Sequence, residues 1–225
     1  MITFLELGRY GRLGNQLFQY AMLKSVSLAR GYEIKVPNLD EQEWHGQKCL
    51  LNMFNIKCDY LTDKDKSSIQ RNFVEANHTI FYPQVFYSSD NTNFHGYFQS
   101  YQYFRRFEKQ IREDLSIKKK IQKMAEQYVG DLKTNNEKIV SVHIRRGDMT
   151  DGTVPKHMNY YGKGELLNND SKFGTYFRSA LKLFERQNVK FLVFSGGSRS
   201  GVDKNNQTEI EWCKKQISDE RFIFC

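Results

Sequence analysis

The sequence predicts an α/β protein, and two observations carry that prediction. Residues 2–37 run as a short apolar stretch, a glycine turn, an amphipathic segment and a second extended stretch, the order of a β-α-β unit. From residue 139 a longer series begins, reading β-α-β-α-β to residue 224, which is the opening half of a doubly wound domain.

Taken in order, residues 2–7 (ITFLEL) read as a short buried strand. The turn after it holds Gly8, Gly11 and Gly14. From Leu17 a helix follows, with Leu17, Phe18, Ala21, Met22, Leu28 and Ala29 on one face and Lys24 off it. Gly31 is a natural stop for that helix, and residues 32–37 (YEIKVP) close the unit as a second strand. Residues 38–93 are polar and irregular, with aromatics spaced through them, and no elements are assigned there. Residues 97–115 and 117–132 read as two helices, the second with Ile121, Met124, Ala125, Tyr128 and Leu132 on one face. KTNNEK, residues 133–138, is the best linker in the chain.

Residues 139–144 (IVSVHI) are mostly β-branched, as in a strand covered on both faces. A helix over residues 173–186 has Phe177, Ala180, Leu181 and Phe184 in register. Residues 189–195 form another buried strand, residues 210–217 a helix and residues 221–224 a third strand.

Composition narrows the function classes. The 225 residues are 39% hydrophobic and 14% aromatic, enough for a substantial core. No run approaches the roughly 18 apolar residues of a membrane span, and the N-terminus lacks the basic region of a signal peptide. Cys49, Cys58, Cys213 and Cys225 show no metal spacing and read as reduced thiols. These features point to a cytoplasmic protein, in which the Asn77 and Asn206 sequons carry no weight. A net charge of +8 suits an anionic partner, whether nucleic acid, a nucleotide-linked substrate or an acidic membrane surface.

The first polar question lies in the glycine turn. Arg12, Asn15 and Gln16 stand where a strand hands over to a helix, a place that a plain connection would fill with a cap and an apolar staple. Glycines there let a backbone come close to a ligand, and a helix N-terminus suits an anion. The second question is HIRRGD, residues 143–148, where a buried strand ends. Ligands of open α/β sheets bind beyond the carboxyl ends of strands, and guanidinium groups suit phosphate oxygens. His143 and Arg145 share one face of the strand while Arg146 points to the other. Asp148 orients an arginine or serves as a base; a strand-end salt bridge between Arg146 and Asp148 is the plain alternative.

Three blocks in this order, GRLGNQLFQYA (residues 11–21), GYFQSYQYF (residues 96–104) and HIRRGD, resemble the family 11 α-1,2-fucosyltransferases. The first block also resembles the GRFGNQ element of protein O-fucosyltransferases. The third resembles the HxRRxD motif shared by α-1,2-, α-1,6- and protein O-fucosyltransferases. Looser similarity continues through residues 176–184 and 210–217, so the resemblance covers almost the whole chain.

The resemblance implies a GT-B-like architecture of two Rossmann-type α/β domains, the second one incomplete. Residues 1–137 would be the N-terminal, acceptor-side domain and residues 138–225 a truncated C-terminal domain binding GDP-fucose. The implied reaction inverts the anomeric centre, moving L-fucose from GDP-β-L-fucose to the 2-hydroxyl of a terminal galactose. It needs no metal and no cofactor, since GDP-fucose is a substrate. Arg145 would contact the β-phosphate, His143 would lie at the guanine side and Asn15 would face the sugar and acceptor, with Arg145, Asp148 and Asn15 forming the catalytic set. Arg146, Gly14, Arg12, Gln16 and Ser195 would complete the donor site. The acceptor class includes lipid-linked glycans, which would place the enzyme at the inner face of a membrane.

Two departures from the family pattern stand out. Family members often carry acids after the FS strand, whereas Gly196 and Gly197 occupy those positions here. The later serine- and tryptophan-rich block is missing because the chain ends first, which leaves a truncated, weakly active nucleotide-sugar or glycan binder as the competing expectation. A nucleic-acid binder using the positive charge is a third class, and no recognition motif supports it.

Other candidates weigh less. Asp63-Lys64-Asp65 has the form of a DxD metal motif, but interleaved lysines favour a solvated charge run. The five histidines show no metal spacing. The aromatic run over residues 81–87 could stack on sugars or bases, with ordinary core packing favoured.

Overall fold

The computed structural model describes residues 1–133, 136–145, 172–196 and 208–225, and these form two compact units, Met1–Met124 and Ala125–Cys225. The division falls inside a helix, ahead of the polar linker expected from the sequence.

In the first unit the opening apolar stretch is a very short strand at the centre of a parallel arrangement. Ile2 pairs with Ile34 on one side and Thr3 with Asn93 on the other, both parallel. These bridges join β1 (Lys35–Val36), paired with β4 (Asp59–Tyr60), to β6 (Thr92–His95), paired with β5 (Arg71–Val74). The order across the unit is therefore β5, β6, residues 2–3, β1, β4. Ile2, Thr3 and Phe4 are fully buried, as a central strand requires. The expected strand over residues 2–7 is shorter than predicted, because the chain turns from Leu5 and Leu7 N–H donates to Phe4 O at 3.0 Å. Between β1 and β4 lies an antiparallel hairpin, β2 (Glu43–Trp44) and β3 (Gln47–Lys48).

Helix α1 (Leu13–Arg30) starts four residues before Leu17 and ends at Gly31, whose φ of 72° is the left-handed stop expected there. Its buried face is wider than the predicted one and shifted from it. Ala21 and Met22 are buried as expected, and so are Gln16, Gln19, Tyr20, Leu23 and Val26, whereas Leu28 is 39% exposed. The cause is polar: Tyr20 donates its hydroxyl to Asp114 Oδ2 at 2.7 Å, and Lys24 Nζ reaches the same carboxylate at 2.8 Å. Burial, and then that hydrogen bond, push the Tyr20 pKa above its ordinary value.

Residues 97–115 are not one helix. Two 3-10 turns, Tyr101–Tyr103 and Arg105–Phe107, precede α3 (Glu108–Asp114). Phe98 has a φ of 52° and is fully buried, so core packing of its ring overrides helical periodicity. Its ring meets those of Phe4, Phe94 and Tyr103 edge-on. The aromatic run over residues 81–87 divides its roles. Phe81 packs edge-on against Tyr103 at 4.8 Å, Val85 is buried, and Tyr87 is 79% exposed.

The DxD candidate is the short helix α2 (Asp63–Ser67), whose acids are engaged locally. Asp65 completes a capping box with Thr62 and accepts from Lys35 Nζ at 2.9 Å, and Asp63 pairs with Lys66. Helix α4 (Lys119–Leu132) carries the apolar residues predicted for it but buries none of them.

The second unit is a parallel sheet of β7 (Lys138–Ile144), β8 (Val189–Ser195) and β9 (Phe222–Phe224), in that order, with α5 (Lys172–Lys182) and α6 (Glu209–Gln216) in the connections. β8 is central and its Val189, Phe191, Leu192 and Val193 are buried. Among the described residues β7 pairs on one side only and buries Ile144 alone, with Ser141 and His143 not buried, so the expected coverage of both faces is not met there. Phe177, Trp212, Cys213, Ile217 and Phe222 complete this core. All four cysteines are free.

Candidate functional site

The glycine turn is built by two buried glutamines. Gln16 Nε2 donates to Gly8 O at 3.2 Å and to Gly11 O at 2.8 Å. Gln19 Nε2 donates to Tyr10 O at 2.9 Å and to Gly96 O at 3.2 Å. A buried turn leaves its carbonyls without water, so side-chain amides must supply the donors. Gln16, expected to reach the donor substrate, is 3% exposed and has both amide hydrogens committed to the loop, so here it positions the turn. The glycines are required where the chain is crowded. Gly11 has a φ of 82°, and a Cβ on it would lie 2.5 Å from Asn15 Nδ2. Gly14 has nothing within 4 Å of such a Cβ.

The remaining polar residues of the turn face outward. Asn15, in the first turn of α1, accepts from Gln99 Nε2 at 2.6 Å. This contact joins the first two sequence blocks. Arg12 is the extended residue preceding α1, which has no side-chain cap and no acid in its first turn. With Gly11, Leu13, Trp44, Gln47 and Lys48, Arg12 lines a groove of about 430 Å³. Two cations and an indole line that groove, which suits it to a polar ligand with an apolar side and negative charge.

Beside the turn lies a group of residues of which the sequence blocks include only Tyr97. Tyr10 stacks on Tyr97, with centroids 4.7 Å apart and planes 14° from parallel. It also meets His95 at 4.8 Å and Trp44 edge-on at 6.1 Å. His95 Nδ1 is 2.5 Å from Glu6 Oε2. Glu75 Oε2 accepts the N–H groups of Tyr97 at 2.7 Å and Phe98 at 2.9 Å, which fixes the Gly96 turn. Burial, the neighbouring Tyr97 hydroxyl and the Glu6 and Glu75 charges push the Tyr10 pKa up to about 12. Outside Tyr97 the signal for this group in the sequence is position alone, since His95 immediately precedes GYFQS and Glu6 lies two residues before Gly8.

In the second unit His143 and Arg145 stand on either side of buried Ile144, the alternation expected at a strand end. Ser195 ends β8 opposite Ile144 and donates its hydroxyl to Ile144 O at 2.6 Å, tying the two carboxyl ends together. Gly196 follows, exposed, and a Cβ added to it would meet nothing within 4 Å. Arg146, Asp148 and Gly197 lie outside the described residues. Arg12, Gly14, Asn15 and Gln16 thus share one turn in unit 1, and His143, Arg145 and Ser195 stand at the carboxyl ends of two paired strands in unit 2. Among the described residues no group of three His, Cys, Asp or Glu side chains is placed to hold a metal ion.

The family described as Glycosyl transferase family 11 matches residues 4–223. No curated protein sequence matches significantly. Among solved structures, the crystal structure of NodZ alpha-1,6-fucosyltransferase soaked with GDP-fucose is similar with a TM-score of 0.48 and 11% identity, covering 100% of this chain and 77% of that one.

Proposed function

Because the chain belongs to glycosyl transferase family 11, we propose that it transfers L-fucose from GDP-β-L-fucose to the 2-hydroxyl of a terminal galactose, inverting the anomeric centre. The observation that carries this reading is the Gln99–Asn15 hydrogen bond, which draws together two of the three blocks resembling the α-1,2-fucosyltransferases. The third block supports it from the carboxyl end of β7, where α/β sheets bind ligands.

In this reading the architecture is GT-B, with two Rossmann-type domains, and the second unit receives the nucleotide. Arg145 meets the β-phosphate as the bond to fucose breaks, and its fixed positive charge stabilises the departing diphosphate without a metal. His143 lies at the guanine side, and Arg146, Asp148 and Ser195 complete the donor contacts. Asn15, Arg12 and the open backbone at Gly14 receive the sugar and the acceptor. No described helix is long and apolar enough to cross a membrane. A cytoplasmic enzyme acting on lipid-linked glycans at the membrane surface is the setting we propose, with the positive charge of the chain in its favour.

Incubation of the purified chain with GDP-fucose and lactose tests the proposal. The expected products are GDP and 2′-fucosyllactose, with the α-1,2 linkage read by NMR. Arg145→Ala is expected to cut transfer at least about 100-fold, the scale of losing one charge-stabilising group, with an unchanged circular dichroism spectrum. A product with another linkage overturns the regiochemistry. Full activity in Arg145→Ala overturns the phosphate assignment.

A further inference from the structure

Three neighbouring parallel strands of the first unit end side by side, each next to a group able to hold a proton. Glu6 follows the central strand at residues 2–3, His95 ends β6, and Glu75 follows β5. The crevice beyond such carboxyl ends is where open parallel sheets do their chemistry.

The three groups are not equivalent. Glu75 Oε2 is committed to the N–H groups of Tyr97 and Phe98, and its Oε1 is buried. Glu6 and His95 keep side chains 38% and 37% exposed, and they meet through Oε2 and Nδ1 at 2.5 Å. A carboxylate at that nitrogen fixes the tautomer with the proton on Nδ1 and leaves Nε2 as the basic nitrogen. Among the described residues Nε2 makes no hydrogen bond. Around the pair stand Tyr10, Tyr97 and, edge-on to Tyr97, His78, with Glu75 beneath. The stacked Tyr10–Tyr97 pair sets aromatic rings next to the imidazole.

We propose that His95, oriented by Glu6, is the base that accepts the proton of the acceptor hydroxyl, with the Tyr10–Tyr97 pair seating the acceptor sugar. The assignment rests on the fucosyl-transfer reading above. In the step, the acceptor oxygen forms its bond to fucose C1 as the bond from C1 to the GDP oxygen breaks. The electron pair of the broken bond leaves on the β-phosphate, and the hydroxyl proton moves to His95 Nε2. The imidazolium so formed is held by the Glu6 carboxylate through Nδ1–H. His95 is the catalytic residue in this step, and Glu6 is a positioning residue.

The test compares wild type, His95→Gln and Glu6→Gln in transfer from GDP-fucose to lactose, with thermal melts and GDP-fucose affinity measured alongside. His95→Gln is expected to lose about 100-fold or more in kcat, the range for a general base, with donor affinity and folding retained. Glu6→Gln is expected to lower kcat about ten-fold with KM for lactose and folding unchanged, the scale of losing one charge-assisted hydrogen bond. Retention of more than a third of kcat in His95→Gln overturns the proposal. So does a fall in kcat matched by loss of folding in both variants, which marks a structural strut. A wild type that uses a different sugar nucleotide overturns the fucosyl reading alone, and the same comparison is then made with that donor. A wild type that transfers no sugar overturns both.

Discussion

Gln99 donates its side-chain amide to Asn15 Oδ1 at 2.6 Å across 84 residues of sequence. The bond fixes the rotamer of an asparagine in the first turn of α1, beside the groove lined by Arg12 and Trp44. Gln99→Ala is expected to lower kcat/KM about five- to thirteen-fold, the worth of one hydrogen bond of about 1–1.5 kcal/mol. If Gln99 acts only through Asn15, the double variant with Asn15→Ala is no worse than Asn15→Ala alone. A double-mutant cycle on transfer kinetics measures this.

The glycines of the turn separate backbone need from backbone access. Gly11→Ala places a side chain at a φ of 82° and against Asn15, and is expected to cost about 1–2 kcal/mol. Gly14→Ala meets nothing within 4 Å and lies in a helical first turn. It is expected to raise stability by up to about 1 kcal/mol while lowering transfer, if a ligand approaches that backbone. Thermal melts paired with activity assays distinguish the two.

Asp114 anchors α3 to α1 by accepting from Tyr20 and pairing with Lys24, whose side chains leave little solvent access at this contact. Asp114→Ala strands a largely buried ammonium and a buried phenol. The expected loss is about 3 kcal/mol, the lower end for a buried pair stripped of one partner. Tyr20→Phe removes only one hydrogen bond and is expected to cost about 1 kcal/mol. Urea titration of both variants checks the ranking.

Asp65 sets a pH dependence for the first unit. The Thr62 hydroxyl and N–H and the Lys35 ammonium hold its carboxyl well below the ordinary 3.8. A depressed folded-state pKa stabilises the fold at every pH above the unfolded value, and that contribution fades as pH falls through the folded value. Asp65→Asn is therefore expected to lower the melting temperature near neutrality. The gap from wild type narrows only below about pH 3.8. A gap that stays constant down to acid pH removes the ionised carboxylate from the account.

Local pattern reaches far in the second unit. The run at residues 189–195 is the central buried strand β8, and His143, Ile144 and Arg145 alternate as strand geometry requires. Pattern fails where side chains serve partners distant in sequence. Gln16 looks like a ligand-facing polar residue on a helix, yet it and Gln19 are buried because the glycine turn needs their donors. Phe98 breaks an otherwise helical stretch because its ring belongs to the core beside Phe4 and Phe94.

The sequence by itself determined the α/β class, the glycine turn with its polar residues, and the three ordered blocks that match family 11, since each is written in neighbouring residues. Only the tertiary structure decided that Glu6 and His95 form a pair, that Gln99 holds Asn15, and that Gln16 supports the turn. Those relationships cross 89, 84 and 8 residues respectively. The first two exist only because residues 2–3 pair beside β6 in a parallel array, bringing distant strand ends to one edge. The third depends on burial, which turns an ordinary amide into the donor that an enclosed loop requires.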